Sequence, residues 1–241
     1  MDTRGDRARA RSDPRARPPA REPGAGAPRR AARSPDRCRV VVTAEVLTCR
    51  SDAAAVRAEP DDASEQITQA FAGEPLTVEE RRDGWARIRT AYDYPGWIRE
   101  DALASGTGTE IGACPYNATD SVDGDPIEEA RAYLGAPYEW GGLTERGIDC
   151  SGLVHIAYRR LGKVVPRDAD QQEAAALRLE EGQAQPGDLV CFGPEGEAHH
   201  IAFWLGEGRI LHATSREGTG KVLEEPLDNA RSDHEIRFAR F

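Results

Sequence analysis

The chain has 241 residues, of which 39% are hydrophobic and 31% charged, with a formal net charge of −10. That length can bury a real core in one large or two small domains. No stretch approaches the roughly 18 apolar residues of a membrane span, and the five cysteines (38, 49, 114, 150 and 191) show no CxxC spacing. Membrane spanning, a zinc ribbon and a dense disulfide framework are therefore excluded as organising principles.

Residues 1–39 hold twelve arginines, five acids and six prolines, with no Ile, Leu or Phe. Such a segment cannot bury enough apolar area to offset its ordering entropy, and it reads as a disordered arm. Its charge is +7, which leaves −17 on the remaining 202 residues. A basic arm could bind nucleic acid, but this one has no aromatic residues for stacking on bases, so no nucleic-acid partner is expected. It also lacks the apolar core of a signal peptide before Val40, so the expected location is the cytoplasm. Cys38 and Cys49 could pair in an oxidising compartment, which sequence does not decide.

Residues 40–104 read as short strands: "EVLTC" (45–49), "PLTVEE" (75–80), "WARIRT" (85–90) and "GWIRE" (96–100). Gly, Pro and Asp turns separate them, which suggests a small all-β barrel or sandwich that leans on its neighbour. Residues 105–124 are turn-rich and serve as a linker. Asp125 (N-cap), Pro126 and Glu128 then open a helix whose face is Ile127, Ala130 and Leu134, with Gly135 as its stop. A second helix is predicted from Cys150 to Leu161, with Val154, Ala157, Tyr158 and Leu161 toward the core, and a polar helix around 168–179. Strands follow at 187–193, 200–206, 209–213 and 235–241. Helices first and an antiparallel sheet afterwards make residues 125–241 an α+β domain.

Cys150 falls in the first turn of the second helix, where converging amides and the helix dipole favour a thiolate. Position alone leaves a nucleophile and a packed structural thiol equally open. Histidine tips the balance. A three-residue loop at 206–208 pairs position 200 with 214, so His212 becomes a diagonal neighbour of His200 on one sheet face while His199 points away. One imidazole can then activate the thiol and the second can orient the first. His155, five residues past Cys150, reads as structural or surface, His234 as solvated and Cys191 as packing. Zinc binding by Cys150 and the histidines lacks CxxC or HExxH spacing and ranks below catalysis, so neither metal nor organic cofactor is expected.

"YLGAPYEWGG", "GIDCSGLVHIAYRRLG", "PRDADQQ", "QPGDLVCF", "HHIAFWLG" and "ILHA" occur in that order from about residue 126 onward. Together they resemble the NlpC-type cell-wall peptidases, papain-like cysteine peptidases, and the upstream unit resembles a bacterial SH3-like domain. The resemblance implies Cys150 as nucleophile, His200 as general base and His212 as the residue that orients it. It implies Tyr138 near the thiol. Asp149 and Ser151 would hold the substrate's N-terminal end, with Glu74 and Tyr94 closing the pocket and Tyr92 competing with Tyr94. The implied activity is cleavage of the γ-D-glutamyl–diamino acid bond in peptidoglycan-derived peptides during wall recycling, with meso-diaminopimelate as the expected third residue and lysine as the alternative that the sequence leaves open. The alternatives are a secreted endopeptidase acting on intact wall and a non-catalytic binder of wall peptides. Oligomeric state is not encoded in these motifs.

Overall fold

The computed structural model describes residues 45–106, 124–231 and 235–241, all of which fall in one compact unit spanning residues 42–241. The arginine-rich arm, Cys38, Cys114, His234 and most of the expected linker lie outside the described residues.

The first layer is a seven-stranded sheet with order β3-β2-β6-β5-β4-β1-β7. Its strands are β1 (Glu45–Cys49), β2 (Ala54–Arg57), β3 (Gln66–Ala70), β4 (Pro75–Arg82), β5 (Trp85–Arg89), β6 (Pro95–Arg99) and β7 (Leu103–Ala104). Alternation within β4 and β5 sends Leu76, Val78, Ala86 and Ile88 inward, beside Val56 and Ile98. The four strands read from sequence are present, the two-residue β7 is added, and so are β2 and β3. Their "AAVR" and "QITQA" are too short and too polar to announce themselves. Cys49 is buried as a free thiol whose S–H contacts the Ala70 carbonyl.

Two sheets and four helices follow. Helix α1 (Pro126–Arg131) is capped by the Asp125 carboxylate, which accepts the Ile127 amide at 2.8 Å. It stops earlier than expected, so Leu134 lies exposed and Tyr133 takes its place in the core. Glu128 pairs with Arg131 at 2.6 Å. A small hairpin, β8 (Leu143–Thr144) with β9 (Gly147–Ile148), delivers the chain to α2 (Cys150–Arg160). Every residue of α2 from Cys150 to Arg159 is buried. The one-sided face expected from periodicity is therefore replaced by a helix enclosed all round, which is why His155 and Arg159 are interior rather than surface residues. Helix α3 (Ala169–Ala175) is shorter than the expected 168–179, because Leu177–Leu179 forms strand β10 instead.

The six-stranded antiparallel sheet runs β10-β15-β11-β12-β13-β14. Its remaining members are β11 (Leu189–Phe192), β12 (His200–Gly206), β13 (Arg209–Thr214), β14 (Lys221–Pro226) and β15 (Ile236–Arg240), and α4 (Leu227–Arg231) follows β14 directly. Strand β11 reads "LVCF" without alternation, because both of its faces are covered. On one face lie α1 and α2 with Ile201, Phe203 and Leu211, and on the other Val190, Phe192, Ile210 and Phe238. Cys191 is fully buried there. The result is an α+β fold with antiparallel sheets, preceded by a small all-β layer, as the sequence pattern led one to expect.

Candidate active site

Asp149 is the N-cap of α2, and its Oδ1 accepts the Gly152 amide at 2.6 Å. Its other oxygen accepts the Gly141 amide at 2.7 Å. Two glycines make this possible. Gly141 has φ +72°, and a Cβ there would sit 2.4 Å from the Gln66 carbonyl oxygen. A Cβ at Gly152 would sit 2.4 Å from the Gly142 carbonyl oxygen, so the "DCSG" and "WGG" segments can only meet as glycines.

The carboxylate is neutralised by Arg167, whose guanidinium reaches Oδ1 at 3.0 Å and Oδ2 at 2.8 Å. The same guanidinium donates to Ser151 Oγ at 3.0 Å and, through Nε, to Thr68 Oγ1 of β3 at 3.2 Å. Asp149, Ser151, Thr68 and Arg167 are all buried. The start of α2 is thus tied through one arginine to the upstream sheet. Gln69 adds a second tie, its Oε1 accepting the Leu143 amide at 2.8 Å.

Cys150 is buried at 6% exposure. Burial, followed by the charge of Asp149, pushes its thiol up to about 12, against hydrogen bonds from the backbone at Ile201 and Ser151 and the charge of Arg167. The expected thiolate is therefore not the resting form. Desolvation outweighs the helix terminus here, and the thiol rests protonated. Tyr138 lies close enough that Cys150 and Asp149, after burial, raise its phenol further. It stays a hydrogen-bond donor at any ordinary pH.

Helix α2 packs across β12 and β13, which present the histidines. The pairs Phe203↔Leu211 and Trp204↔Ile210 continue to set position 200 opposite 214, the register expected from sequence. The loop differs. Glu207 and Gly208 form a two-residue turn with φ of +51° and +70°, and a bulge between Trp204 and Gly206 absorbs the extra residue. The bulge restores the parity that a two-residue loop alone would have broken. His200 Nε2 and His212 Nδ1 accordingly lie 2.7 Å apart, with His200 against the Phe192 ring at 5.1 Å. His199 is exposed.

Sequence reasoning missed the group behind His212. Glu225 of β14 is buried, and its Oε1 accepts His212 Nε2–H at 2.8 Å. Arg216 donates to both of its oxygens, at 2.9 and 2.7 Å. Burial lowers the pKa of His212, more than the hydrogen bond and charge of Glu225 raise it, so the ring is neutral. Burial also works against ionisation of Glu225, but the hydrogen bonds from Arg216 and His212 prevail and hold it below the usual carboxylate range.

The remaining predicted residues sit where the two layers meet. Glu74 is fully buried; its Oε2 accepts the Phe71 amide at 3.0 Å and lies 3.2 Å from Arg159. Tyr94 Oη donates to the Asp168 carboxylate at 2.8 Å, and Tyr92 shares a hydrogen bond with Thr68 at 2.9 Å. Tyr92, Tyr94, Pro95, Val165, Asp168 and Gln171 are among the residues around a cavity of about 800 Å³. None of Cys150, His200 and His212 lines that cavity. Burial raises the Asp168 carboxyl, against Tyr94 and Arg167. His155 donates Nδ1–H to the Val165 carbonyl at 2.8 Å and packs on Tyr92, a structural placement. Among the described residues, no group of three or more His, Cys, Asp or Glu is arranged to hold a metal ion, and no helix is long and apolar enough to cross a membrane.

Comparison with known proteins gives two domain matches. Residues 135–235 match the NlpC/P60 family, and residues 56–103 match the bacterial dipeptidyl-peptidase SH3 domain. A γ-D-glutamyl-L-lysine dipeptidyl-peptidase of Bacillus cereus is 32% identical over 119 residues, which are 48% of this chain and 35% of that protein. The bifunctional muramidase/DL-endopeptidase CwlT of Bacillus subtilis is 36% identical over 161 residues, 65% of this chain and 46% of that protein. These matches span only about a third to a half of the relatives' lengths. A solved NlpC/P60 family protein from Bacillus cereus aligns over 83% of this chain and 64% of its own, at 23% identity and a TM-score of 0.47. The chain carries an NlpC/P60 domain preceded by a bacterial SH3 domain.

Proposed function

We propose that the protein is a cysteine peptidase that cleaves the γ-D-glutamyl–diamino acid bond of short peptidoglycan-derived peptides. The observation that carries this is the Cys150 thiol at the start of α2, packed against two strands whose histidines are hydrogen-bonded in series. The relatives' names, a γ-D-glutamyl-L-lysine dipeptidyl-peptidase and a DL-endopeptidase, agree with it.

The chemistry runs as follows. His200 takes the thiol proton as Cys150 Sγ attacks the γ-carbonyl, so a resting protonated thiol is no obstacle. The negative charge on the carbonyl oxygen develops near the first amides of α2 and the Tyr138 hydroxyl, which serve as donors. The C–N bond breaks as His200 returns the proton to the leaving amine of the diamino acid. A water then gives its proton to His200, attacks the thioester, and releases the glutamyl carboxylate and the thiol. His212 keeps the His200 ring oriented throughout. No step needs a metal or organic cofactor.

The finer reading is that the substrate is a stem peptide with an unblocked N-terminal L-Ala, processed in the cytoplasm during wall recycling. The match of the first domain to a dipeptidyl-peptidase SH3 domain supports a dipeptide length upstream of the cut. A free ammonium needs carboxylates. Asp149 and Glu74 are already compensated by Arg167 and Arg159, and Asp168 beside Tyr94 borders the cavity. We assign amine recognition to Asp168, the carboxylate of this group that borders the cavity, rather than to the arginine-compensated Asp149 and Glu74, and meso-diaminopimelate to the leaving side.

Mass spectrometry of products from L-Ala-γ-D-Glu-diaminopimelate, its N-acetyl form and the L-Lys analogue tests both levels. Release of L-Ala-γ-D-Glu by the wild type and none by Cys150→Ala is expected, with at least a 10-fold loss on acetylation. Undiminished cleavage by Cys150→Ala overturns the mechanism. Equal turnover of the acetylated peptide overturns the recycling reading and favours an enzyme of intact wall.

A further inference from the structure

The thiol–histidine reading accounts for Cys150, His200 and His212, but it leaves unexplained a carboxylate buried behind them. Glu225 is 5% exposed, in a strand whose next residue back, Glu224, turns instead to Arg131 and Arg209. Its partner Arg216 lies nearer the surface, at 39% side-chain exposure, and is anchored by the Asn229 carbonyl at 3.0 Å. We propose that Glu225 is a positioning residue for the reaction, dictating the tautomers of both histidines, and that Arg216 sets the strength of that effect. The proposal rests on the catalytic reading above.

An ionised carboxylate can only accept, so the nitrogen of His212 that faces Glu225, Nε2, carries a hydrogen. Since His212 is neutral, its Nδ1 holds a lone pair. That lone pair lies 2.7 Å from His200 Nε2, and the contact is a hydrogen bond only if His200 Nε2 carries the hydrogen. In neutral His200 the proton is then used up on Nε2, and Nδ1 is the bare base. One buried carboxylate fixes two rings in sequence. Without it, His212 can place its hydrogen on Nδ1 and turn His200 into the tautomer with its base on the wrong nitrogen.

The same anion also acts when charge appears. As His200 accepts the thiol proton it becomes an imidazolium, facing His212 on β13 with Glu225 on β14 behind it. The charged group that opposes Glu225 is Arg216, from the β13–β14 connection, which pairs with both carboxylate oxygens. Removing Glu225 disfavours the imidazolium, whereas removing Arg216 leaves the anion unscreened and favours it. The two substitutions should therefore shift the histidine pair in opposite directions.

The test is kcat/KM against pH, on the free-N-terminus tripeptide, for the full-length wild type, Glu225→Gln and Arg216→Met, with Cys150→Ala alongside. Glu225→Gln is expected to lose roughly 10- to 100-fold, the loss being in kcat rather than KM, the scale seen for groups that orient a ligating or catalytic histidine. Its acid limb moves to lower pH, and that of Arg216→Met to higher pH. A packing defect alone would lower activity without opposed shifts. Should Glu225→Gln fail to fold, the surface-side Arg216→Met still gives the upward shift or refutes it. Wild-type rates and an unmoved profile in Glu225→Gln, or both limbs moving the same way, overturn the proposal while an inactive Cys150→Ala keeps the nucleophile. An active Cys150→Ala overturns the underlying reading, and this proposal with it.

Discussion

Two buried carboxylates flank the candidate site, Asp149 next to Cys150 in the chain and Glu225 behind His212, and they are compensated in different ways. Asp149, on the helix side, is enclosed with a fully buried arginine, two backbone amides and a serine hydroxyl. Glu225, on the strand side, faces a neutral histidine and an arginine that reaches toward solvent. The first network contains no imidazole, and it serves to hold the helix start against the SH3 domain through Thr68. The second runs through two imidazoles and can move a proton. Rigidity is built on one side of the sulfur and titration on the other.

The sharpest way to break the comparison is Arg167→Met. It strands Asp149 as an uncompensated buried charge, which costs on the order of 3–5 kcal/mol of stability. Urea unfolding monitored by Trp fluorescence checks this, and a loss under about 1 kcal/mol would mean that Asp149 is not sealed as described. Next in size is the response to acid. His155, fully buried between Tyr92 and the Val165 carbonyl, is lowered to about 3, chiefly by burial and then by Arg159 and Arg167. The unfolded chain binds that proton near pH 6.5 and the folded one does not, so stability falls as pH drops below about 6.5. From pH 7 to 5 this single group contributes roughly 2 kcal/mol of loss, with His212 adding in the same direction. Urea midpoints at the two pH values should show it, and His155→Leu should flatten the dependence; an unchanged slope in that variant would show that His155 is not the group responsible. The smallest effect belongs to a surface pair that is neither sealed nor titrating. Replacing Arg178 and Glu195, paired at 61% and 68% side-chain exposure, by Ala should cost no more than about 0.5 kcal/mol, and a larger loss would show that burial is not what separates these pairs.

Much of this was readable from sequence because the relevant signals are local. Asp125 and Pro126 start a helix wherever they precede an apolar period, and "HIAFWLG" with "RILHA" announces a hairpin whose register sets His200 beside His212. The loop was misjudged, yet the bulge after Trp204 gave the same side-chain parity. What stayed hidden depends on distant partners. Arg167 follows a proline in a polar stretch and reads as solvated until the fold closes Asp149 and Thr68 around it. Arg159 looks like an ordinary cation in the last turn of a helix, but it is interior because α2 is covered on every side. Glu225 was lost with its strand, since "KVLEEP" mixes charge and proline in the manner of a turn. Its pairing to β13 along six positions is visible only in three dimensions.

The most direct measurement is alkylation titrated against activity. Incubation with iodoacetamide, followed by peptide mapping and a rate assay on each sample, should show activity disappearing in proportion to modification of residue 150, however far the other four cysteines have reacted. A fully carboxamidomethylated Cys150 in protein that still hydrolyses its peptide at the original rate would contradict the account at its centre.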